Sequence, residues 1–214
     1  MNEALALVIA YLLGSIPTAY LITRRITGKD IRRLGGGNIG GLNTFREVGR
    51  GAGLLVGLAD AAKGAAAVAI AWGLLGLEPA WVMAAGLVAV AGHNWMVWLR
   101  FSGGKGLGTA FGALLVIMPA YGLWGELAIF ATIVIIPLAI TRNVALAAGL
   151  GLFALPILVW FGVKSGLATL MAVALLLIIG LKFLPTLLSS VKERGAGAFG
   201  VDRSGISGKK KADA

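Results

Sequence analysis

Residues 35–43 read GGGNIGGLN, and residue types in this pattern suit the holding of an anion. Glycine lets the backbone approach a ligand closely, so consecutive N–H groups can converge on negative charge. Asn38 and Asn43 add amide donors, and Arg32, Arg33, Arg46 and Arg50 add fixed positive charge suited to phosphate. A second stretch, HNWMVWLRFSGGKGLGT at 93–109, has GGKG ahead of an apolar helical run. The N-terminus of that helix carries positive dipole, and Lys105 adds a point charge beside it. The candidate phosphate-binding groups are Gly35, Gly36, Gly37, Asn38, Gly40 and Asn43 from the first stretch. Gly103, Gly104 and Gly106 join them from the second, with Lys105 and Arg46 as the reactive cations. Close helix packing also selects glycine, but packing does not call for asparagines and arginines beside it.

His93 stands about six residues before the charged end of its apolar run, roughly 10 Å inside the boundary at 1.5 Å per residue. An ionisable group at that depth is a candidate for positioning substrate or handling a proton. Asp60 and Lys63 are spaced to pair on one helix face, which reads as a structural ion pair. With one histidine and no nucleophile-elbow pattern, a Ser-His-Asp triad has no support. The absence of cysteine excludes disulfides and thiolate metal sites, and a single histidine excludes a multi-histidine metal centre. No metal or cofactor is expected.

The elements that position these groups are membrane helices. Of 214 residues 58% are hydrophobic and only 13% charged, with a mean hydropathy of +0.91, far from the composition of a water-soluble domain. Seven apolar runs are long enough to cross a bilayer, near 3–23, 53–76, 80–99, 107–122, 123–140, 144–162 and 165–188. No cleavable signal is expected, because the first run lacks a basic start. Basic residues crowd alternate connections: Arg24 to Arg50 in the first, Arg100 and Lys105 in the third, Arg142 in the fifth, and the C-terminal tail. The positive-inside rule then places the N-terminus outside and both glycine-rich loops in the cytoplasm. Arg24, Arg25 and Arg50 are read as topology markers. The net charge of +10 reflects topology and attraction to anionic lipid, and nucleic-acid binding is not expected. The expected organisation is one seven-helix domain over 1–190 and a basic, disordered cytoplasmic tail over 191–214.

Four stretches in order, GSIPTAYLI (14–22), DIRRLGGGNIGGLNTFREVGRGAGLL (30–55), DAAKG (60–64) and AGHNWMVWLRFSGGKGLGTAFG (91–112), resemble the PlsY-type bacterial glycerol-3-phosphate acyltransferases. TRN at 141–143 is similar to the family's short fifth loop, which adds Arg142 to the phosphate-binding candidates. The resemblance implies a seven-helix enzyme of the bacterial inner membrane. It would transfer a fatty acyl group from acyl phosphate to glycerol 3-phosphate, giving lysophosphatidic acid and phosphate. Its partners would be those two substrates and membrane lipid, and a monomer is expected. The chain departs from the family pattern at Gly36 and Leu42, where the family has hydroxyl residues. It also lacks the family's third motif: residues 181–197 read LKFLPTLLSSVKERGAG, without histidine or asparagine. The competing reading is a non-catalytic relative that binds or transports a phosphorylated lipid or polyol.

Overall fold

The structure, a computed structural model, describes residues 1–198, with side chains through Pro185. Contacts divide the chain into Met1–Lys182 and Phe183–Ala214. The features discussed below lie in the first unit; of the second, helix is described through Ala198, and the rest of the expected tail lies outside the described residues.

Helices α1 (Asn2–Gly14) and α2 (Thr18–Thr27) occupy the first apolar run. That run is not one continuous helix, as the sequence suggested. Pro17 has no N–H to continue the ladder, and Ser15 to Pro17 form a break inside the span. A loop with two short elements, a 3-10 turn at Ile31–Arg33 and helix α3 (Gly41–Glu47), leads to α4 (Arg50–Ala69). α4 loosens into a π-helical turn at Ile70–Leu74. Then come α5 (Pro79–Asn94), α6 (Leu107–Ala120), α7 (Trp124–Thr141), α8 (Val144–Val163) and α9 (Gly166–Ala198).

Six helical stretches among the described residues are long and apolar enough to cross a membrane, and α6 is a shorter apolar helix. Its 14 residues span about 21 Å, short of the roughly 30 Å of hydrocarbon. The sequence placed a crossing at 107–122; in the structure, the helix over this run is Leu107–Ala120 and follows directly on the GGKG loop.

α4 packs against α6, α1 and α5, and α1 packs against α5. Small residues set these distances. At the α4–α6 crossing, a Cβ on Gly64 would strike the Thr109 carbonyl, and one on Gly112 the Ala61 carbonyl. Such close approach is how helices associate where lipid removes any hydrophobic drive. A core of Ala6, Ala10, Ala67, Val68, Ala71, Val82, Ala85, Ala89 and Ala113 fills the centre.

Candidate active site

The two glycine-rich loops are folded against each other by their own apolar residues. Ile31 and Ile39 of the first loop and Met96 and Leu99 of the second are buried in one cluster with Ala19 and Val56. Burying one such side chain contributes about 1.5–3 kcal/mol, so four of them hold both loops to the helix ends. Asp30 caps the 3-10 turn through Arg32 N–H and pairs with the Arg32 guanidinium at 2.6 Å. That hydrogen bond holds the Asp30 carboxyl below the usual carboxylate range. Arg32 also lies over the Tyr20 ring at 5.7 Å, so its charge is already engaged.

Within GGGNIGGLN the roles divide. Asn43 is buried and donates both amide hydrogens, to Leu34 O and Asn38 O at 3.0 Å each. It staples the loop closed. Gly35 is pressed against Asn43 and Glu47, where a Cβ would lie 2.6 and 2.5 Å from their oxygens. Gly36 is open, Gly37 has φ 68, and Gly40 accepts from Thr44 at the start of α3. The Asn38 side chain makes no hydrogen bond among the described residues and is half-buried. It is the loop's available amide.

The second loop turns back onto the end of α5. Gly104 N–H donates to His93 O at 3.0 Å. A Cβ on Gly104 would strike His93 Nε2 and lie 2.5 Å from Ile39 O, so both loops and the histidine meet at this glycine. Gly103 packs on the His93 and Asn94 carbonyls. Gly106 begins α6 with φ 75, and a Cβ there would meet Asn94 Oδ1 at 2.7 Å and Val90 at 2.8 Å. Lys105, half-buried between them, has its ammonium pKa pushed below the ordinary lysine value of 10.5 by burial. Its charged form therefore disappears at a lower pH than that of a solvated lysine. If Lys105 binds anionic substrate, turnover declines on the alkaline side before pH 10.5, and Lys105→Arg moves that decline upward; a pH profile of kcat/KM checks this.

Beneath the loops lies a buried polar cluster that the sequence showed only in part. Lys63 Nζ sits 2.8 Å from Asp60 Oδ1, as their spacing suggested. Thr18 Oγ1 donates to the same oxygen at 2.5 Å, and His93 Nδ1 lies 3.6 Å from it, longer than a hydrogen bond. Lys63 also donates to Ile16 O at 3.1 Å, at the break before Pro17. The break between α1 and α2 therefore delivers Thr18 and a carbonyl to the cluster. His93 turns Nδ1 toward Asp60 and Nε2 toward the loops. Thr18 was missed because its partner lies 42 residues away; the GSIPT motif, with a proline breaking a membrane run, was the available signal.

Two candidates stand apart. Arg46 is exposed on α3, and Arg142 is exposed where α7 ends, with φ 53. Neither side chain makes a hydrogen bond or ion pair among the described residues. In TRN it is Asn143 that has a visible role, capping α8 by accepting from Ala145 and Leu146 N–H at 3.1 Å.

A polytopic helical protein with two basic, glycine-rich loops packed together over a buried histidine has the attributes of a membrane enzyme acting on phosphorylated lipid precursors. The family described as glycerol-3-phosphate acyltransferase matches residues 4–187, and the chain belongs to that family. It is 62% identical over 179 residues to glycerol-3-phosphate acyltransferase 1 of Dehalococcoides mccartyi, covering 84% of this chain and 86% of that one. It is 42% identical to the glycerol-3-phosphate acyltransferase of Synechococcus sp. strain JA-3-3Ab, over 75% of each chain. Among solved structures it is similar to the glycerol 3-phosphate form of PlsY, an integral membrane glycerol 3-phosphate acyltransferase. The TM-score is 0.77 at 27% identity, over 91% of this chain and 94% of that one.

Proposed function

We propose that the protein transfers a fatty acyl group from acyl phosphate to glycerol 3-phosphate where the two glycine-rich loops meet at Gly104. The observation that carries this reading is the meeting of His93 Nε2, the GGGNIGGLN loop and the GGKG loop at one glycine. In the step, a glycerol hydroxyl oxygen attacks the acyl carbonyl carbon, the bond from that carbon to the phosphate oxygen breaks, and inorganic phosphate leaves. The hydroxyl proton passes to His93 Nε2 or to a phosphate oxygen. Acyl phosphate is already activated, so the protein need mainly orient two anions and offset their charge. Asn38 and Lys105 contact phosphate; Asn43 and Gly35 hold the loop in shape. Asp60 faces Nδ1, which favours the tautomer with its proton there and its lone pair on Nε2. Arg46 and Arg142, both exposed, engage the outer part of the substrate phosphates.

A cavity of about 300 Å³ between α5, α6, α8 and α9 suits the acyl chain, being lined by Leu87, Ala113, Met118, Leu155 and Leu175 among other apolar side chains. Val90 lines one end of it and lies against Gly106. Pro79, at the other end of α5, is eleven residues or roughly 16 Å further along the helix. Ala168→Phe narrows the slot near that far end. It is expected to slow transfer from long-chain acyl phosphate about 10-fold, from overpacking strain of ~1–3 kcal/mol, while sparing short chains; rates across an acyl-length series check this.

The chain acts as a monomer that crosses the bacterial inner membrane seven times, α6 being the short fourth crossing. Its N-terminus is outside and its C-terminus cytoplasmic, so that both glycine-rich loops face the side where glycerol 3-phosphate is found. The deciding experiment is phosphate release from acyl phosphate by purified protein. Release that requires glycerol 3-phosphate supports the reading, and tight glycerol 3-phosphate binding with no turnover at any chain length overturns it.

A further inference from the structure

Lys182 is the only charged residue between Gly166 and Pro185, and nothing described so far uses it. It is half-buried on α9. A lysine near the end of a membrane helix ordinarily extends along apolar surface toward the headgroups. Instead, the Lys182 ammonium lies over the Trp95 ring, 5.2 Å from its centroid, and so turns toward the bundle. Trp95 follows His93 and Asn94 directly, and its carbonyl accepts from Tyr11 Oη at 2.7 Å, which fixes the turn. One helical turn before Lys182, Ile178 O accepts from Asn94 Nδ2 at 3.2 Å. α9 is therefore fastened to the turn that carries the histidine, and Lys182 projects beside it.

The ammonium has no acidic partner among the described residues. The one buried carboxylate among the described residues, Asp60, is already bound to Thr18 and Lys63. A ring face offsets only part of the cost of a desolvated cation. A half-buried cation beside the turn that carries the buried His93, inside a membrane protein, points to a ligand. We propose that Lys182 binds a phosphate oxygen of a substrate, supplying from the last helix a second lysine beside the His93–Trp95 turn. The inference rests on the meeting place of the two glycine-rich loops being the substrate site.

The test uses purified full-length protein in neutral detergent, free of anionic lipid, with Lys182→Met and Lys182→Arg. Equilibrium binding of glycerol 3-phosphate and of inorganic phosphate is measured alongside KM for each substrate. Lys182→Met is expected to weaken phosphate binding roughly 10- to 100-fold, the loss of one charged hydrogen bond, with unchanged thermal unfolding. Lys182→Arg is expected to recover most of it. A rise in KM for glycerol 3-phosphate assigns the acceptor phosphate, and a rise for acyl phosphate assigns the donor; either supports the proposal. Binding and both KM values within twofold of the parent for Lys182→Met would overturn it, and would mean that the cation serves only lipid headgroups or the Trp95 contact. If the parent releases no phosphate at all, the acyltransfer reading fails, and the binding arm still decides Lys182.

Discussion

Asp60→Asn is expected to destabilise the protein by about 3–5 kcal/mol and to slow acyl transfer at the same time. The carboxylate is 3% exposed, and its loss leaves Lys63 as a buried charge without its counter-ion, the costly way to break such a pair. Asparagine keeps the shape and can still accept from Thr18, so the effect isolates the charge. The double variant Asp60→Asn with Lys63→Met removes both charges and is expected to recover most of the stability. It does not restore the rate, because His93 Nδ1 then faces a neutral amide instead of a carboxylate. The remaining loss is expected to reach about 10²–10⁴-fold at most, the range of a positioned general base. Thermal unfolding in detergent and phosphate release, measured on the same preparations, separate the two roles. Recovery of both together would make the pair purely structural, as its spacing in the sequence first suggested.

Lys105→Ala is expected to lower kcat/KM for glycerol 3-phosphate roughly 10- to 150-fold, because a hydrogen bond to a charged group contributes about 1.5–3 kcal/mol. Asn38→Ala acts in the same direction and more weakly, since it removes a neutral donor. Arg24 is exposed on α2, and Arg24→Ala is the control expected to change little. Full activity in Lys105→Ala together with loss in Arg24→Ala would remove the phosphate role from the GGKG loop.

The membrane helices were legible because a lipid-spanning helix must be apolar along its whole length. Their interruptions were not: Pro17 breaks the first run and α6 falls short, and hydrophobicity alone averages over both. The glycine-rich loops could be read as a site because asparagine and arginine beside glycine have no packing purpose. Which glycines face ligand and which face protein depends on neighbours distant in sequence. Gly35 is packed against α3 and Gly104 against His93, although both look alike in the chain. Asn43 could be counted as a donor but not seen to be engaged, since Leu34 O reaches it only through the fold of the loop. The Asp60–His93 approach joins helices 33 residues apart, and no local periodicity reports that. Lys182 was invisible for the same reason: its neighbour Trp95 lies in the turn after α5, far away in sequence.

The claim that two loops from different parts of the chain act on one phosphate is tested most directly by a double-mutant cycle between Asn38 and Lys105. Glycerol 3-phosphate affinity is measured for the parent, Asn38→Ala, Lys105→Ala and the pair. Groups in one ligand network couple by about 0.5–3 kcal/mol, whereas independent sites add within about 0.3–0.5 kcal/mol. A coupling above that additive range is the predicted result. Strict additivity, with each loss the same whether or not the other residue is present, would contradict a shared phosphate site.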